Sequence, residues 1–366
     1  MIENTRLERK AEKAFFFDCS PRLGANPARI SGSEKGMVMS MALQIEMTQA
    51  AELLLERDDY HILIHGYPDG DTIGSGYALC RALRLLGKRA NVVCAHEIPG
   101  VYSYITDLQQ QKFEPRTIVA VDVADLKLLG GDALEYEGKV LLAVDHHATN
   151  RMFAEYTWLD PDAAATCEMI YSLILALGVK PDVPMAEALY TGVSTDTGCF
   201  RFSNTTPQTH RIAARLMETG IDAAFINQKM FGTKSRRRIE IEKHILSHME
   251  FHLGGRVAMI FVTTEMVQQL HATEGDLEGI TSIPREVEGV LIGLTFRQKA
   301  DGSFKVSMRS QPPVNAGTLC ALLGGGGHPC AAGCSVQGDL AAVKKQLLEI
   351  CAKGLEESYH AGDCTH

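Results

Sequence analysis

The sequence predicts an α/β protein in which an N-terminal parallel sheet is followed by a smaller, mixed α/β domain. Short apolar runs alternate with segments of helical periodicity, which is typical of βαβ units and a parallel sheet. Several runs end abruptly in acidic or imidazole side chains; the run at 140–144, for example, continues into Asp145-His146-His147. Because right-handed crossovers make such strands end at one edge of the sheet, the pattern indicates a polar cleft at that edge.

Bulk composition limits the class of protein. The 366 residues exceed one typical core and suit two domains. The net charge of −9 argues against holding long duplex nucleic acid in a general positive field, although a local basic pocket for a short anion is compatible with it. No stretch approaches the ~20 apolar residues of a membrane span. The ten cysteines are irregularly spaced and no secretory segment is found, which favours reduced thiols and a cytoplasmic location.

The elements of the first half are delimited by glycines and prolines. A loop marked by Pro68 and several glycines precedes a helix predicted over 75–86. The apolar segment 185–193 is predicted as a strand that ends near Asp196. The other predicted elements are strands at 61–64, 90–95, 117–121 and 140–144, and helices at 42–57, 168–177 and 206–220.

The pattern changes after a charged stretch. Residues 234–243, which include Arg236-Arg237-Arg238, predict a solvated helix that joins two domains. The second domain is predicted to have strands at 257–262, 290–296 and 304–308 and a helix at 341–351. The predicted boundaries are a disordered extension over 1–36, a catalytic domain over 37–233, a helical linker over 234–250 and a substrate-binding domain over 251–366.

Acidic or imidazole side chains follow four of the predicted strands. At one edge they would repel one another or carry strongly shifted pKa values unless a cation neutralised them. Carboxylates favour hard divalent ions, and added imidazoles move the preference toward manganese, with iron or cobalt as alternatives. About four carboxylates and two imidazoles suggest two metals bridged by one carboxylate, which suits phosphoryl transfer. The residues are His65, Asp69, Asp71, Asp122, Asp145, His146, His147 and Asp196.

Each of these residues also has a purely structural interpretation. A single Asp after a strand is more often a helix cap or a turn residue than a ligand. His146 alone is compatible with a satisfied core histidine. Because four separate segments end in the same way, a shared metal site is the favoured hypothesis.

Five motifs, in order, resemble those of the DHH phosphoesterase superfamily and its associated C-terminal domain. The resemblance runs from about Met37 to the end of the chain. The first four motifs are His65-x-x-Pro-Asp69-Gly-Asp71, Val121-Asp122, Asp145-His146-His147 with Asn150, and Thr195-Asp196-Thr197-Gly198. The C-terminal motif is Gly324-Gly-Gly-Gly-His328-x-x-Ala-Ala-Gly333, preceded by Met308-Arg309-Ser310.

The resemblance implies two manganese ions, with Mg²⁺ or Co²⁺ as alternatives, and a role for each nearby side chain. Asp145 would orient a ligand from outside the coordination sphere. His147 would stabilise the scissile phosphate or protonate the leaving oxygen. Asp122 would bridge the ions. One ion would be held by His65, Asp69 and Asp122, and the other by Asp71, Asp122, His146 and Asp196.

In the second domain, the resemblance implies that Arg309 and His328 grip a phosphate or terminal nucleotide of the substrate. Successive glycines let backbone N–H groups close around an anion, and Arg offers a bidentate fork. Taken alone, four glycines are more often a flexible loop, and Arg297 is either a second cationic contact or a surface residue. The predicted substrate-binding residues are Arg297, Arg309, Ser310, Gly325, Gly326, Gly327 and His328.

One position departs from the family pattern. Tyr67 stands where family members usually have Asn. The side chain is not expected to bind metal, so the predicted cluster is unaffected. We expect it to alter the hydrogen bonding of the site loop or the substrate preference.

The resemblance implies a manganese-dependent phosphoesterase that hydrolyses short oligoribonucleotides, 3′-phosphoadenosine 5′-phosphate, or both. A metal-bridging hydroxide would attack phosphorus in line, in the cleft between the two domains. Three alternatives stay open: a phosphodiesterase of cyclic di-AMP or linear dinucleotides, an inorganic pyrophosphatase, and a non-catalytic nucleotide-binding protein. The expected partners are short RNA or nucleotide substrates, without long duplexes or a membrane, and a homodimer is compatible with the sequence.

Overall fold

A computed structural model describes residues 42–362, apart from positions 132 and 278, as two six-stranded sheets with their helices. The extension predicted as disordered, residues 1–36, lies outside the described residues. The predicted α/β class, with a parallel sheet first and a mixed sheet second, is confirmed. No helix in the described part of the chain combines the length and the apolar character that crossing a bilayer requires.

The first sheet is entirely parallel, in the order β1-β6-β5-β4-β2-β3. Its central strands are buried because helices cover one face and loop segments cover the other, which explains their continuous apolar sequences. The strands are β1 (Leu43–Gln44), β2 (Tyr60–Leu63), β3 (Ala90–Val93), β4 (Thr117–Val121), β5 (Leu142–Asp145) and β6 (Tyr156–Leu159). The helices are α1 (Met47–Glu56), α2 (Gly70–Leu85), α3 (Thr166–Ala176), α4 (Val183–Asp196), α5 (Pro207–Met217) and α6 (Ala223–Asn227).

Two predictions in this half were wrong. The helix predicted over 75–86 begins at Gly70, because the side chain of Asp69 caps it by accepting hydrogen bonds from the backbone N–H groups of Asp71 and Thr72. The strand predicted at 185–193 is helix α4, so Asp196 ends a helix rather than a strand. Its apolar sequence reflects burial on nearly all sides, which periodicity cannot distinguish from a strand.

Helix α2 packs closely against α3 and α4 because glycines stand at the contacts. A Cβ on Gly74 of α2 would lie 2.3 Å from the backbone oxygen of Ala188 in α4 and 2.9 Å from the sulfur of Cys167 in α3. The close approach places the first turn of α2 beside the first turn of α3. That packing positions Asp71 in the site.

The second sheet is mixed, in the order β11-β12-β10-β9-β8-β7, with only β8 and β9 parallel. Its strands are β7 (Glu250–His252), β8 (Val257–Val262), β9 (Ile292–Gln298), β10 (Phe304–Ser310), β11 (Gly326–His328) and β12 (Ala331–Val336). Its helices are α7 (Arg236–Ser247), α8 (Thr264–Gln269), α9 (Glu274–Leu277), α10 (Ala316–Ala321) and α11 (Leu340–Gly362).

Helix α7 is not the fully solvated connection that the charged sequence predicted. Its Ile241 and Ile245 are buried in a cluster with residues of β8, so one face of the helix belongs to the second core. The three arginines occupy the first turn of the helix, and Arg238 donates a hydrogen bond to the carboxylate of Glu242. Two apolar residues at positions i and i+4 are enough to pack one face of a short helix against a core, even when the rest of its sequence is charged.

Candidate metal centre

The carboxyl ends of three adjacent strands form the floor of the site. His65 lies two residues beyond β2, Asp122 directly follows β4, and Asp145 is the last residue of β5. Asp122 takes a left-handed conformation (φ 59°), which Asp tolerates better than most side chains, and this turn ends the strand. Asp122 and Asp145 are almost completely buried.

Helices supply the remaining acids. Asp69 and Asp71 stand at the start of α2, and Asp196 stands at the end of α4. All six side chains predicted as metal ligands therefore lie together, although they come from two kinds of element. Their role as ligands stays a prediction.

The spacing of the donor atoms fits divalent cations. Nε2 of His146 lies 4.0, 3.8 and 3.7 Å from carboxylate oxygens of Asp71, Asp122 and Asp196. Nε2 of His65 lies 3.7 Å from Asp69 and 3.9 Å from Asp122. These distances exceed direct N–H···O hydrogen bonds, whereas two ligands each about 2.1 Å from one ion lie roughly 3 to 4 Å apart.

The acids and imidazoles form three overlapping groups, and two of these contain Asp122. Oδ2 of Asp122 faces His65, and Oδ1 of the same residue faces His146. Within each group the donor atoms lie within 4.8 Å of one another. The donor atoms are therefore suited to divalent cations. The groups are His65, Asp69 and Asp122; Asp71, His146 and Asp196; and Asp122, His146 and His147.

Hydrogen bonds orient the candidate ligands. Nδ1 of His146 lies 3.0 Å from the carbonyl oxygen of Ala163 and donates to it, which leaves the lone pair of Nε2 toward the acids. The backbone N–H groups of Thr166 and Cys167 donate to Asp71, and the Thr166 hydroxyl donates to Asp122 at 2.9 Å. The sequence interpretation missed this support because it began helix α3 at Glu168.

Burial and mutual repulsion raise the pKa values of the clustered acids. Burial first, and then the charge of Asp196, raise the pKa of Asp71 to about 6. Burial also raises the pKa of Asp196 to about 6, and burial with the charge of Asp71 raises that of Asp122 well above its usual range. A bound cation would reverse these shifts, because it stabilises the ionised carboxylates.

We expect the affinity for Mn²⁺ to rise at least about 10-fold between about pH 5 and about pH 7. Carboxylates with a pKa of about 6 are mostly protonated at the lower pH and mostly ionised at the higher one, and only the ionised form binds metal. Isothermal titration calorimetry of the metal-free protein at several pH values measures the effect. An affinity that does not change over this range would contradict the assignment of Asp71 and Asp196 as ligands.

His147 is positioned by a buried carboxylate. Its Nδ1 lies 2.7 Å from Oδ1 of Asp145, whose Oδ2 accepts a hydrogen bond of 2.6 Å from Asn150. Burial alone would lower the pKa of His147. The hydrogen bond to the Asp145 carboxylate and the negative charge of Asp122 outweigh that effect and raise the pKa to about 9. The side chain is 36% exposed, and its Nδ1 lies 3.6 Å from Oδ1 of Asp122.

The second sheet places two of the predicted substrate residues on one face. Arg309 of β10 and His328 of β11 are both paired with Ala331 of β12, so their side chains project from the same row. Burial, and then the nearby Arg285, lower the pKa of Arg309. Arg285, which the sequence interpretation missed, adds positive charge to this row. Among the described contacts, none joins this face to the metal candidates.

The other predicted substrate residues have structural contacts. The buried Ser310 hydroxyl lies 2.9 Å from the backbone oxygens of both Val314 and Pro329 and shares its one proton between them, so it holds a turn rather than facing a ligand. Gly325 and Gly327 are required by close strand packing, since a Cβ on Gly327 would lie 2.6 Å from the backbone oxygen of Ala331. Arg297 is half-buried on β9. An anion-binding role for these glycines stays a prediction.

A cavity of about 600 Å³ adjoins the metal candidates. Asp69 and Asp196 line one part of it, and residues after α6 line another, among them Lys229 and Phe231. The segment from Gln228 to Gly232 is a turn of π-helix, a feature that often marks functional sites. The cavity therefore joins the acids to cationic residues, namely Lys229 and, from the segment predicted as a linker, Lys234 and Arg238.

Comparison with known proteins identifies both domains. The model of the DHH family, N-terminal domain, matches residues 60–193, and that of the DHHA1 domain matches residues 255–353. The bifunctional oligoribonuclease and PAP phosphatase NrnA of Thermus thermophilus is 36% identical over 317 residues, which cover 84% of this chain and 92% of the relative. The protein of the same name from Bacillus subtilis is 26% identical over 283 residues, covering 75% of this chain and 89% of the relative.

A solved structure has a similar fold over most of its length. The crystal structure of an exopolyphosphatase-related protein from Bacteroides fragilis superposes with a TM-score of 0.75 at 25% sequence identity. The match covers 85% of this chain and 96% of that one. The two-domain architecture is therefore shared with an experimentally determined relative.

Proposed function

The chain belongs to the DHH family and is a hydrolase of phosphoester bonds, and from that premise we propose that it is a manganese-dependent enzyme for short oligoribonucleotides and 3′-phosphoadenosine 5′-phosphate. The observation that carries the proposal is Asp122, whose two oxygens face two separate groups of acids and imidazoles. The names of the relatives from Thermus thermophilus and Bacillus subtilis support this choice of substrates.

Residues of the chain itself would hold the metal ions, orient His147 and supply a proton to the substrate. Asp71, Asp122, His146 and the other predicted ligands would hold two ions, which would supply a hydroxide nucleophile at neutral pH and neutralise charge on the phosphate. Asp145 fixes the ring of His147 through Nδ1, so that Nε2 can donate to the phosphate or to the leaving oxygen. In the metal-free protein the hydrogen bond to Asp145 and the charge of Asp122 outweigh burial and raise the pKa of His147 to about 9, and the hydrogen bond to Asp145 would still favour the protonated ring once ions are held.

The surroundings of the metal centre suit a short substrate. The cavity beside the acids is bounded by Lys229, Lys234 and Arg238, while the net charge of the chain is −9. Lys234 and Arg238 already pair with Glu242, so the local positive charge is small, which favours a few phosphates over a long backbone. The row of Arg309 and His328 on the second sheet would bind a more distant phosphate or the terminal nucleotide when the domains close.

Lys229→Ala is expected to raise KM for a short oligoribonucleotide about 10-fold with little change in kcat. The ammonium lies 5.0 Å from the ring centre of Tyr104, and among the residues that the structure describes no carboxylate pairs with it, so its charge is free to attract phosphate. Steady-state kinetics measures the effect. Lys243→Ala, which removes an exposed lysine of α7, serves as the control. Equal KM values for the two variants would contradict a role for Lys229.

A manganese-supplemented substrate panel tests the proposed function. It compares kcat/KM for di- and pentaribonucleotides, 3′-phosphoadenosine 5′-phosphate, cyclic di-AMP, its linear product and inorganic pyrophosphate. We expect the highest values for the short oligoribonucleotides and 3′-phosphoadenosine 5′-phosphate. Preference for cyclic di-AMP, activity on pyrophosphate alone, or binding without hydrolysis would each replace the proposal with one of the alternatives above.

A further inference from the structure

We propose that Tyr67 and His96 form a stacking platform for a nucleobase of the substrate. The inference rests on the proposed function, since it states how the same site would hold a nucleotide. Tyr67 lies between two candidate ligands, His65 and Asp69, in the loop that leads from β2 to α2. Its side chain is 78% exposed, which is unusual for a large aromatic residue in such a position.

The exposed ring is held by a second ring beneath it. The rings of Tyr67 and His96 are stacked, with centroids 4.6 Å apart and planes inclined by 18°. His96 follows strand β3, the neighbour of β2, so both residues lie at the carboxyl edge of the sheet, where the metal candidates also lie. One face of the Tyr67 ring is covered by His96, and the high exposure of the side chain leaves the other face to solvent.

His96 is itself fixed by glycine backbone. A Cβ on Gly66 would lie 2.9 Å from Nδ1 of His96, and a Cβ on Gly130 would lie 2.8 Å from Cε1. Gly130 also has a positive φ of 70°, and the N–H of Gly66 donates to the backbone oxygen of Leu128 at 2.7 Å. The backbone of two neighbouring loops therefore approaches the imidazole of His96, which is itself exposed, and the stacked contact gives the Tyr67 ring a position above it.

The chemistry of the platform fits a base rather than a phosphate. In the described part of the chain the Tyr67 hydroxyl makes no hydrogen bond, so the side chain does not anchor its loop. An aromatic face stacks on any nucleobase without sequence preference, which suits an enzyme for short oligoribonucleotides of mixed sequence. With the scissile phosphate at the metal centre, the attached nucleoside would lie on Tyr67.

Removing the ring tests the inference with a matched pair of substrates. Tyr67→Ala is expected to raise KM about 10-fold for 3′-phosphoadenosine 5′-phosphate, but to leave KM for ribose 3,5-bisphosphate, the same molecule without its base, unchanged. Tyr67→Phe keeps the ring and should behave like the wild type. Phe251→Ala, which removes an exposed aromatic residue of the second sheet, is the control. The melting temperature and the Mn²⁺ stoichiometry of each variant report whether the fold and the ligand loop are intact.

A binding measurement gives a second readout. A diribonucleotide that contains 2-aminopurine, added with Ca²⁺ to prevent turnover, should lose fluorescence on binding to the wild type and to Tyr67→Phe but not to Tyr67→Ala. Unchanged KM and unchanged quenching in Tyr67→Ala would overturn the inference. Equal rises in KM with and without the base would also overturn it, because the ring would then act on its loop. A wild type that hydrolyses no nucleotide would instead refute the proposed function. The quenching of 2-aminopurine fluorescence would still show whether a nucleobase stacks on Tyr67.

Discussion

Asp122→Asn is expected to lower kcat/KM for short oligoribonucleotides by at least about 10³-fold. The substitution keeps the size of the side chain but removes the charge that both groups of ligands share. Loss of this carboxylate weakens both ion positions together, whereas loss of an outer ligand weakens one. Steady-state kinetics in Mn²⁺ and titration calorimetry measure the two consequences.

The stability of this variant separates a chemical effect from unfolding. Because burial and the charge of Asp71 hold the pKa of Asp122 well above its usual range, ionised Asp122 destabilises the metal-free fold at neutral pH. The metal-free Asp122→Asn protein should therefore melt at the same temperature as the wild type or higher. Asp162→Asn, at an exposed position, is the control and should retain full activity and metal binding. Hydrolysis by Asp122→Asn at the wild-type rate would refute the two-metal proposal.

His147→Gln is expected to lower kcat about 10²-fold while Mn²⁺ still binds with the wild-type stoichiometry. Glutamine can still reach Asp145 but cannot carry the proton, so the loss should fall on the chemical step rather than on metal binding. Single-turnover rates and calorimetry measure these two quantities separately. Loss of a bound ion in this variant would show that His147 is a ligand instead.

The pH dependence of kcat tests His147 as the proton donor, because its hydrogen-bond partner Asp145 affects the pKa of the ring. The protonated ring is the active form, so kcat should fall as the pH rises through the pKa of His147 in the metal-loaded enzyme. Asp145→Asn removes the negative charge that favours the protonated ring, and the fall should then occur about one pH unit lower or more. An unchanged pH profile in Asp145→Asn would exclude His147 as the proton donor.

Seven of the twelve described strands could be predicted because burial dominates their sequences, whereas β1, β6, β7, β11 and β12 were not predicted. The strands predicted at 117–121 and 257–262 coincide with β4 and β8, since each is a run of mostly apolar residues bounded by polar ones. The order of the strands in each sheet was not predictable in the same way. It depends on crossovers and packing that no single segment encodes.

Helices near the site were harder, and for a physical reason. Asp-Gly-Asp at 69–71 has the composition of a turn, yet Asp69 caps a helix whose glycines are required by contacts with α3 and α4. The segment before Asp196 is apolar on nearly all sides because α4 is buried. In both cases tertiary packing overrides local preference.

The residues of the candidate site also differ in whether the sequence predicts them. Acids and imidazoles at strand ends signal a metal centre because so many charges are tolerated together only with a cation, and the structure brings those side chains together. Thr166, Lys229 and Arg285 could not be identified from the sequence in this way, because residues of these types most often lie on the surface or cap a helix. In the sequence Tyr67 stands out only as a departure from a family pattern, and its stacked partner His96 follows only from the fold.

The position of manganese in crystals of the protein tests the central claim most directly. Anomalous diffraction at the manganese edge should show two peaks on either side of Asp122, one among His65 and Asp69 and the other among Asp71, His146 and Asp196. Both should disappear in Asp122→Asn at the same metal concentration. A single peak, or peaks that Asp122 does not contact, would contradict the account.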